Sequence, residues 1–264
     1  MAGRVVLVTG ASSGIGAELA RLFAAAGDHL VLAARRLDRL QALAEELSAK
    51  HGVRAEAVSV DLGKLEGPQD LVIECGRRGL VVDVLVNNAG FGLRGRFARL
   101  PFDRQMEMVQ VNVTAPTALA GLLLPGMLAR KRGGILNVAS LAAFQAGPDM
   151  AVYYASKAYL LSLSEALFEE AKPHGVTVTA LCPGPVPTEF ASVADLHGAR
   201  LSKVGVVGAE QVARAGFDGF TRGRAIVVPG ATPKLGALVV KLSPRAITRK
   251  IAGMLQGVKE QGQP

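Results

Sequence analysis

The stretch Tyr153-Tyr154-Ala155-Ser156-Lys157 sets two phenols within one helical turn of an ammonium group, downstream of Ser140 at the end of an apolar run. A phenol ordinarily ionises at about 10, and a fixed positive charge beside it brings it toward use as an acid or base near neutrality. Residues three and four apart share a helix face, so Lys157 reaches Tyr153 at i,i+4 or Tyr154 at i,i+3. Spacing alone does not choose between them. Taken by itself, the segment reads first as a packing face continuing through Leu160, Leu163, Leu167 and Phe168. The decision rests on the elements that would have to position it.

The N-terminus supplies the first. Arg4-Val5-Val6-Leu7-Val8 is a short β-branched run that breaks into Thr9-Gly10-Ala11-Ser12-Ser13-Gly14-Ile15-Gly16, and a helical pattern follows from Ala17 to Phe23. Strand, glycine turn and helix in that order are the context a dinucleotide fingerprint requires. Gly10, Gly14 and Gly16 let the backbone turn tightly and approach a pyrophosphate. The unpaired N–H groups and positive dipole end of the next helix then hold its charge, which makes Ser12, Ser13 and Ile15 candidate contacts as well.

NAD-binding chains of this architecture carry an acid about 20 residues on, at the end of the second strand, for the ribose hydroxyls. Here the strand reads His29-Leu30-Val31-Leu32-Ala33-Ala34 and runs into Arg35-Arg36. A guanidinium fork suits phosphate, and a carboxylate would repel a 2′-phosphate. The missing acid and the two bases together favour NADP(H) over NAD(H). The competing reading is a basic pair that merely opens a solvated helix.

In the order and spacing of these motifs the chain resembles the classical short-chain dehydrogenase/reductase family, from its start to about Gly230. Thr9-Gly10 through Gly14 and Gly16 resembles the family's cofactor turn, and Val60-Asp61-Leu62 its adenine-contacting aspartate segment. Asn87-Asn88-Ala89-Gly90 resembles the strand-four motif, and Pro183-Gly184 with Val186 and Thr188 the segment that flanks the nicotinamide. Asn112, Ser140, Tyr153 and Lys157 resemble the catalytic tetrad. The resemblance implies a Rossmann-type doubly wound α/β fold with a parallel sheet of about seven strands and helices on both faces. It further implies an NADP(H)-dependent oxidoreductase, a carbonyl reductase or alcohol dehydrogenase. Tyr153 would be the proton donor, Ser140 would hold the carbonyl oxygen, and Lys157 would lower the phenol's pKa and bind the nicotinamide ribose. Tyr154 becomes a packing or pocket-edge residue. A homodimer or homotetramer is implied through the helices near residues 103–129 and 153–172.

Three of these residues also have independent physical readings. Asp61 closes an extended run from Val53 to Val60, which places its carboxylate either at a strand's ligand-binding end or on a helix N-cap. Asn87 follows Val82-Asp83-Val84-Leu85-Val86 and joins neighbouring backbone segments where the sheet opens, a role that is wholly structural in one reading. Asn112 lies inside a long apolar helix, so its buried amide needs partners: a held water that relays protons to Lys157, or a nearby carbonyl.

Apolar runs near residues 4–8, 29–34, 54–60, 82–86, 134–139, 176–182 and 225–228 alternate with helical patterns, which argues a parallel sheet covered on both faces. With 264 residues and 50% hydrophobic content, one domain over 1–258 and a tail over 259–264 suffice. The first strand leaves no room for a signal sequence, and the longest purely apolar runs fall short of the roughly 20 residues of a membrane span. A cytoplasmic protein is expected. Cys75 and Cys182 have no metal-binding spacing, and His29, His51, His174 and His197 are scattered, so no metal is expected.

The net charge of +8 gathers near the C-terminus in Lys234, Lys241, Arg245, Arg249, Lys250 and Lys259. The basic amphipathic helical region over 231–258 therefore either lies on a membrane surface or closes the substrate pocket or a dimer seam with its charges in water. No nucleic-acid partner is expected. The segment from Val186 to His197, together with Phe91, Leu93, Phe144, Met150 and Phe190, is rich in apolar side chains and favours a lipophilic carbonyl or alcohol substrate over a sugar. Arg94 and Arg96 either recognise an anionic group or face water.

Overall fold

The computed structural model describes residues 3–189 and 206–256. The apolar runs form strands β1 (Val5–Thr9), β2 (His29–Ala34), β3 (Ala55–Ser59), β4 (Val84–Asn87), β5 (Gly134–Val138), β6 (Thr177–Leu181) and β7 (Ile226–Val227). All pair in parallel, in the order β3-β2-β1-β4-β5-β6-β7. The order reverses between β1 and β4, and in open parallel sheets a crevice forms beyond the carboxyl ends of the strands at that reversal. Thr9, Asn87 and Val138 end their strands there.

Alternation along each strand sorts the core into two layers. Val6 and Val8 of β1 join Leu30, Leu32, Val84 and Val86 against α1 (Gly14–Ala25), α2 (Leu37–His51) and the later helix α7 (Ala209–Thr221). Leu7, Val31, Leu85, Ile135 and Val178 pack with Leu71 of α3 (Gly67–Arg77) and with Leu119 and Met127 of α5 (Ala115–Arg130). Phe23 of α1 meets Phe217 and Phe220 of α7 edge-on, at 5.0 and 6.1 Å between ring centres.

Between β4 and β5, α4 (Phe102–Val109), a π-helical turn (Gln110–Thr114) and α5 run on as one helix, Phe102–Arg130. By length and composition this helix is able to cross a bilayer. Counting uninterrupted apolar residues misses it, because Gln110, Asn112 and Thr114 punctuate it. Its Ala115, Leu119, Ala120, Leu124 and Met127 pack in the second core layer. Helix α6 (Ala151–Ala171) follows β5 and a short 3-10 turn.

The C-terminal region is two helices rather than one, α8 (Ala231–Leu242) and α9 (Arg245–Gln256), divided at Ser243-Pro244. Proline lacks the N–H that would continue the first helix but is tolerated where the second starts. The expected tail and the end of this region, residues 257–264, lie outside the described residues, as do Phe190 to His197 of the substrate segment.

Candidate active site

Beyond β1 the chain turns through Gly10 at φ +64° and Gly14 at φ +56°, left-handed backbone that other residues adopt only with strain. A Cβ on Gly16 would lie 2.4 Å from Asn88 Nδ2 and 2.5 Å from the Gly10 carbonyl oxygen. The turn is fastened to the end of β4: Asn88 Nδ2 donates to the Thr9 and Gly10 carbonyls, both at 3.0 Å. The Asn88 and Ala89 N–H groups donate to Thr9 Oγ1. Ser13 caps α1 without a side-chain hydrogen bond, so the first N–H groups of the helix face the crevice unclaimed by a cap.

From this turn a cavity of about 1120 Å³ runs past Ala34, Arg35, Arg36, Asp61 and Leu62 at one end. At the other it reaches Gly90, Ser140, Tyr153, Lys157 and the segment Pro183–Thr188. Its volume, the glycine cradle and the helix N-terminus fit a dinucleotide.

The two arginines sit differently. Arg36 reaches the glycine turn, donating to Ser12 Oγ at 2.9 Å and Ser13 Oγ at 3.3 Å, and pairs with Glu189 at 2.8 Å. Arg35 is largely exposed, its guanidinium 3.9 Å from Glu107. Arg39, which sequence reasoning did not single out, also grips Glu189 at 2.6 Å. Hydrogen bonds from Arg36 and then Arg39 hold the Glu189 carboxyl down at about 2. Asp61 lies two residues past β3, and its Oδ1 accepts from the Gly63 N–H at 3.0 Å, a local turn in place of a helix cap.

Ser140 follows β5 at the start of the short turn Leu141–Phe144, and its Oγ accepts from the Ala142 N–H at 3.1 Å. The same hydroxyl is hydrogen-bonded to the Tyr153 phenol. Tyr153 and Tyr154 are both buried on α6, their rings edge to face at 6.1 Å. Tyr154 is wedged against Gly147, where a Cβ would come within 2.4 Å of its ring. Lys157 points back under the sheet end, donating to the Val138 carbonyl at 2.8 Å, with Nζ 5.9 Å from the centre of the Tyr153 ring.

These positions correct the electrostatic expectation for the phenol. Burial pushes Tyr153 up to about 12, against the Ser140 hydrogen bond that pulls it down. Burial also pushes Lys157 down to about 8. Desolvation disfavours both charged forms and outweighs the partner effects that the spacing suggested.

Two asparagines are engaged within the protein. Asn87 is buried in β4, with Nδ2 donating to Asn137 Oδ1 at 2.9 Å and to the Pro116 carbonyl at 3.4 Å. It does not line the cavity; Asn88 does. Asn112 occupies the π-helical turn, a local widening frequent at functional positions. Its Oδ1 accepts from the Phe91 N–H, and its Nδ2 donates to the Phe91 carbonyl and to Ser156 Oγ. Gly90 passes between this amide and Lys157: a Cβ there would lie 3.1 Å from Asn112 Oδ1 and 3.4 Å from Lys157 Nζ.

Residues 4–197 match the family described as short chain dehydrogenase. The chain belongs to that family. Over 190 residues, 72% of this chain and 75% of the relative, it is 39% identical to an uncharacterized oxidoreductase of Myxococcus xanthus. Over 180 residues, 67% of this chain, it is 37% identical to a very-long-chain 3-oxoacyl-CoA reductase of Phaeosphaeria nodorum, spanning only 53% of that protein. A short-chain dehydrogenase from Sphingobium yanoikuyae, solved in complex with NADPH, superposes with a TM-score of 0.80 at 30% identity, covering 99% of this chain and 98% of the other. As a short-chain dehydrogenase the protein is an oxidoreductase of alcohol and carbonyl groups.

The rest of the cavity of this short-chain dehydrogenase is mainly apolar. Phe91, Phe144, Met150 and Tyr154 line it as the sequence suggested, with Val186, Pro187 and Thr188 beyond. Leu93 packs behind, against Met108, Met150 and the two tyrosines. Arg96 is committed to Asp149 at 3.3 Å. Of the readings the sequence offered for the C-terminal region, α8 meets the one that closes the pocket: its Thr232, Pro233, Gly236, Ala237 and Val240 also line the cavity. Their spacing of three and four residues was the available signal. Cys182 is buried in an apolar cluster with Ala139, Ala143 and Leu161 and does not line the cavity.

Proposed function

We propose that this short-chain dehydrogenase is an NADP(H)-dependent carbonyl reductase acting on a lipophilic ketone or aldehyde, and on the matching alcohol in reverse. The observation that carries the reading is one cavity with the Ser140, Tyr153 and Lys157 cluster at its buried end and Arg36 with Ser12 and Ser13 at the other. Gly10, Gly14 and Ile15 would hold the pyrophosphate, Arg36 and Arg35 the 2′-phosphate, Asp61 and Leu62 the adenine, and Ala89 and Gly90 the adjoining ribose. Pro183, Gly184, Val186 and Thr188 would lie along the nicotinamide, which when bound supplies or accepts the hydride.

A carbonyl oxygen placed against the Ser140 hydroxyl and the Tyr153 phenol would receive a hydrogen bond from the first and a proton from the second. A phenol held at about 12 stays protonated in the resting enzyme, the form reduction requires. Lys157, anchored on the Val138 carbonyl, would present its remaining N–H donors to a ribose hydroxyl and stabilise the phenolate left after transfer. The walls formed by Phe91, Phe144, Met150 and Val240 support a lipophilic substrate. The fungal relative's name, a reductase of very-long-chain 3-oxoacyl groups, points the same way.

Assembly as a homodimer or homotetramer through α4, α5 and α6 is part of this reading, supported by the exposed Met106, Leu122 and Tyr159 on those helices. The function is tested by following nicotinamide absorbance with NADPH or NADH and a panel of ketones and aldehydes of increasing apolar size. Turnover that rises with apolar size and prefers NADPH is expected. Turnover of sugars alone, or a preference for NADH, contradicts it.

A further inference from the structure

The two C-terminal helices carry cations and no acids: residues 231–256 contain Lys234, Lys241, Arg245, Arg249 and Lys250 and neither aspartate nor glutamate. Each helix has an inner face that is used. In α8, Pro233 and Ala237 are buried against the cavity. In α9, Thr248 and Ala252 are buried, and Gly253 sits against Pro148.

Each also turns an apolar stripe to solvent. Leu235 and Val239, at i,i+4 of α8, are 63% and 54% exposed, and Ile247, Ile251 and Met254, at i, i+4 and i+7 of α9, are 52%, 50% and 73% exposed. An apolar stripe at helical spacing with only cations beside it matches an interface of acyl chains under anionic headgroups. Leucine, isoleucine and methionine enter the boundary layer while lysine and arginine extend to the phosphates. A second copy of this chain fits poorly. A two-fold contact sets a patch against itself, which would bring Arg245, Arg249 and Lys250 toward their own like charges with no acid between them.

We propose that α8 and α9 dock the protein on an anionic lipid surface. The opposite face of α8 lines the cavity, so docking brings one cavity wall to the lipid. The proposal does not depend on which carbonyl compound is reduced.

The test is co-sedimentation of the full chain with vesicles of phosphatidylcholine alone or mixed with phosphatidylserine, at low and high salt. Binding to the mixed vesicles, weakened by salt and by removal of phosphatidylserine, is expected. Each cation near an anionic surface strengthens binding about 5-fold, so R245E/R249E/K250E should weaken it by about 100-fold or more. Ile251→Asn with Met254→Asn should weaken it at both salt concentrations. Melting temperatures of the variants, followed by circular dichroism, confirm that α9 remains folded. No binding to the mixed vesicles, equal binding to neutral ones, or full binding by the charge-reversed variant would overturn the proposal. So would a change in molecular mass of that variant in sedimentation, which would assign the stripe to a second copy of the chain. None of these readings requires turnover, so they stand apart from the functional assay.

Discussion

Ser140, Tyr153 and Lys157 are held by the ends of buried strands and by a buried helix, whereas Glu189, where the segment after β6 reaches the other end of the cavity, is held by groups in water. Lys157 is tied to a strand-end carbonyl, and Tyr153 is packed between Ser140 and Tyr154. Glu189, at the far end of that later segment, is held by exposed guanidinium groups of Arg36 and Arg39. Proton transfer requires donors fixed to a fraction of an ångström, which a close-packed interior provides. Recognition of cofactor phosphate and substrate needs surfaces that give way, and exposed ion pairs contribute little to stability and exchange partners easily. On the proposed function, chemistry belongs to the sheet side of the cavity and selectivity to the other.

The largest expected effect breaks the buried side. Lys157→Met should lower kcat by about 100-fold or more, the range for losing a positioned proton-transfer group, with the melting temperature preserved or raised because a buried charge is removed. A variant with ordinary kcat would place the chemistry elsewhere. The charge of Lys157 has a pH signature as well. Burial lowers its pKa to about 8, so the ammonium is present below that point and lost above it. Carbonyl reduction should therefore fall as pH rises through about 8, approaching tenfold per further pH unit. A rate profile flat through that region would separate Lys157 from the reaction.

Effects on the exposed side should be smaller and confined to cofactor choice. Arg36→Ala should raise the KM for NADPH about 10-fold while leaving that for NADH nearly unchanged, the loss of one charge-assisted phosphate contact. Arg35→Asp should reduce the NADPH preference by less, because its side chain already leans toward Glu107 and solvent. Equal effects at the two positions would erase the distinction the geometry draws. Smallest of all, Glu189→Gln should lower the KM for NADPH by about 2- to 5-fold, since it frees Arg36 and Arg39 from a competing carboxylate held only by surface ion pairs. A rise in KM would make Glu189 a contributor to binding rather than a competitor.

How much of this was legible in the chain follows from which contacts are local. The first two strands declare themselves because Val5–Thr9 and His29–Ala34 are β-branched or leucine-rich runs long enough to cross a sheet buried on both faces. The glycine turn is legible because its left-handed backbone admits few other residues. Tyr153 was separated from Tyr154 only by family register; in space the separation comes from the Ser140 hydroxyl, brought to the Tyr153 phenol by a turn whose geometry no periodicity shows. The wider turn at Asn112 has no local signature, since it arises from packing around Phe91 and Ser156. Arg39 and Glu189 meet across 150 residues of sequence, a separation no periodicity reveals. The phenol's raised pKa was equally hidden, because spacing shows the nearby charge but not the burial that outweighs it.

The central claim, that Tyr153 and not its neighbour donates the proton, is tested most directly by measuring NADPH oxidation with Tyr153→Phe and Tyr154→Phe side by side, using a carbonyl compound the parent enzyme turns over. Tyr153→Phe should lose activity by about 100-fold or more, and Tyr154→Phe should keep it within about threefold. The reverse outcome, an active Tyr153→Phe beside an inactive Tyr154→Phe, would contradict the account.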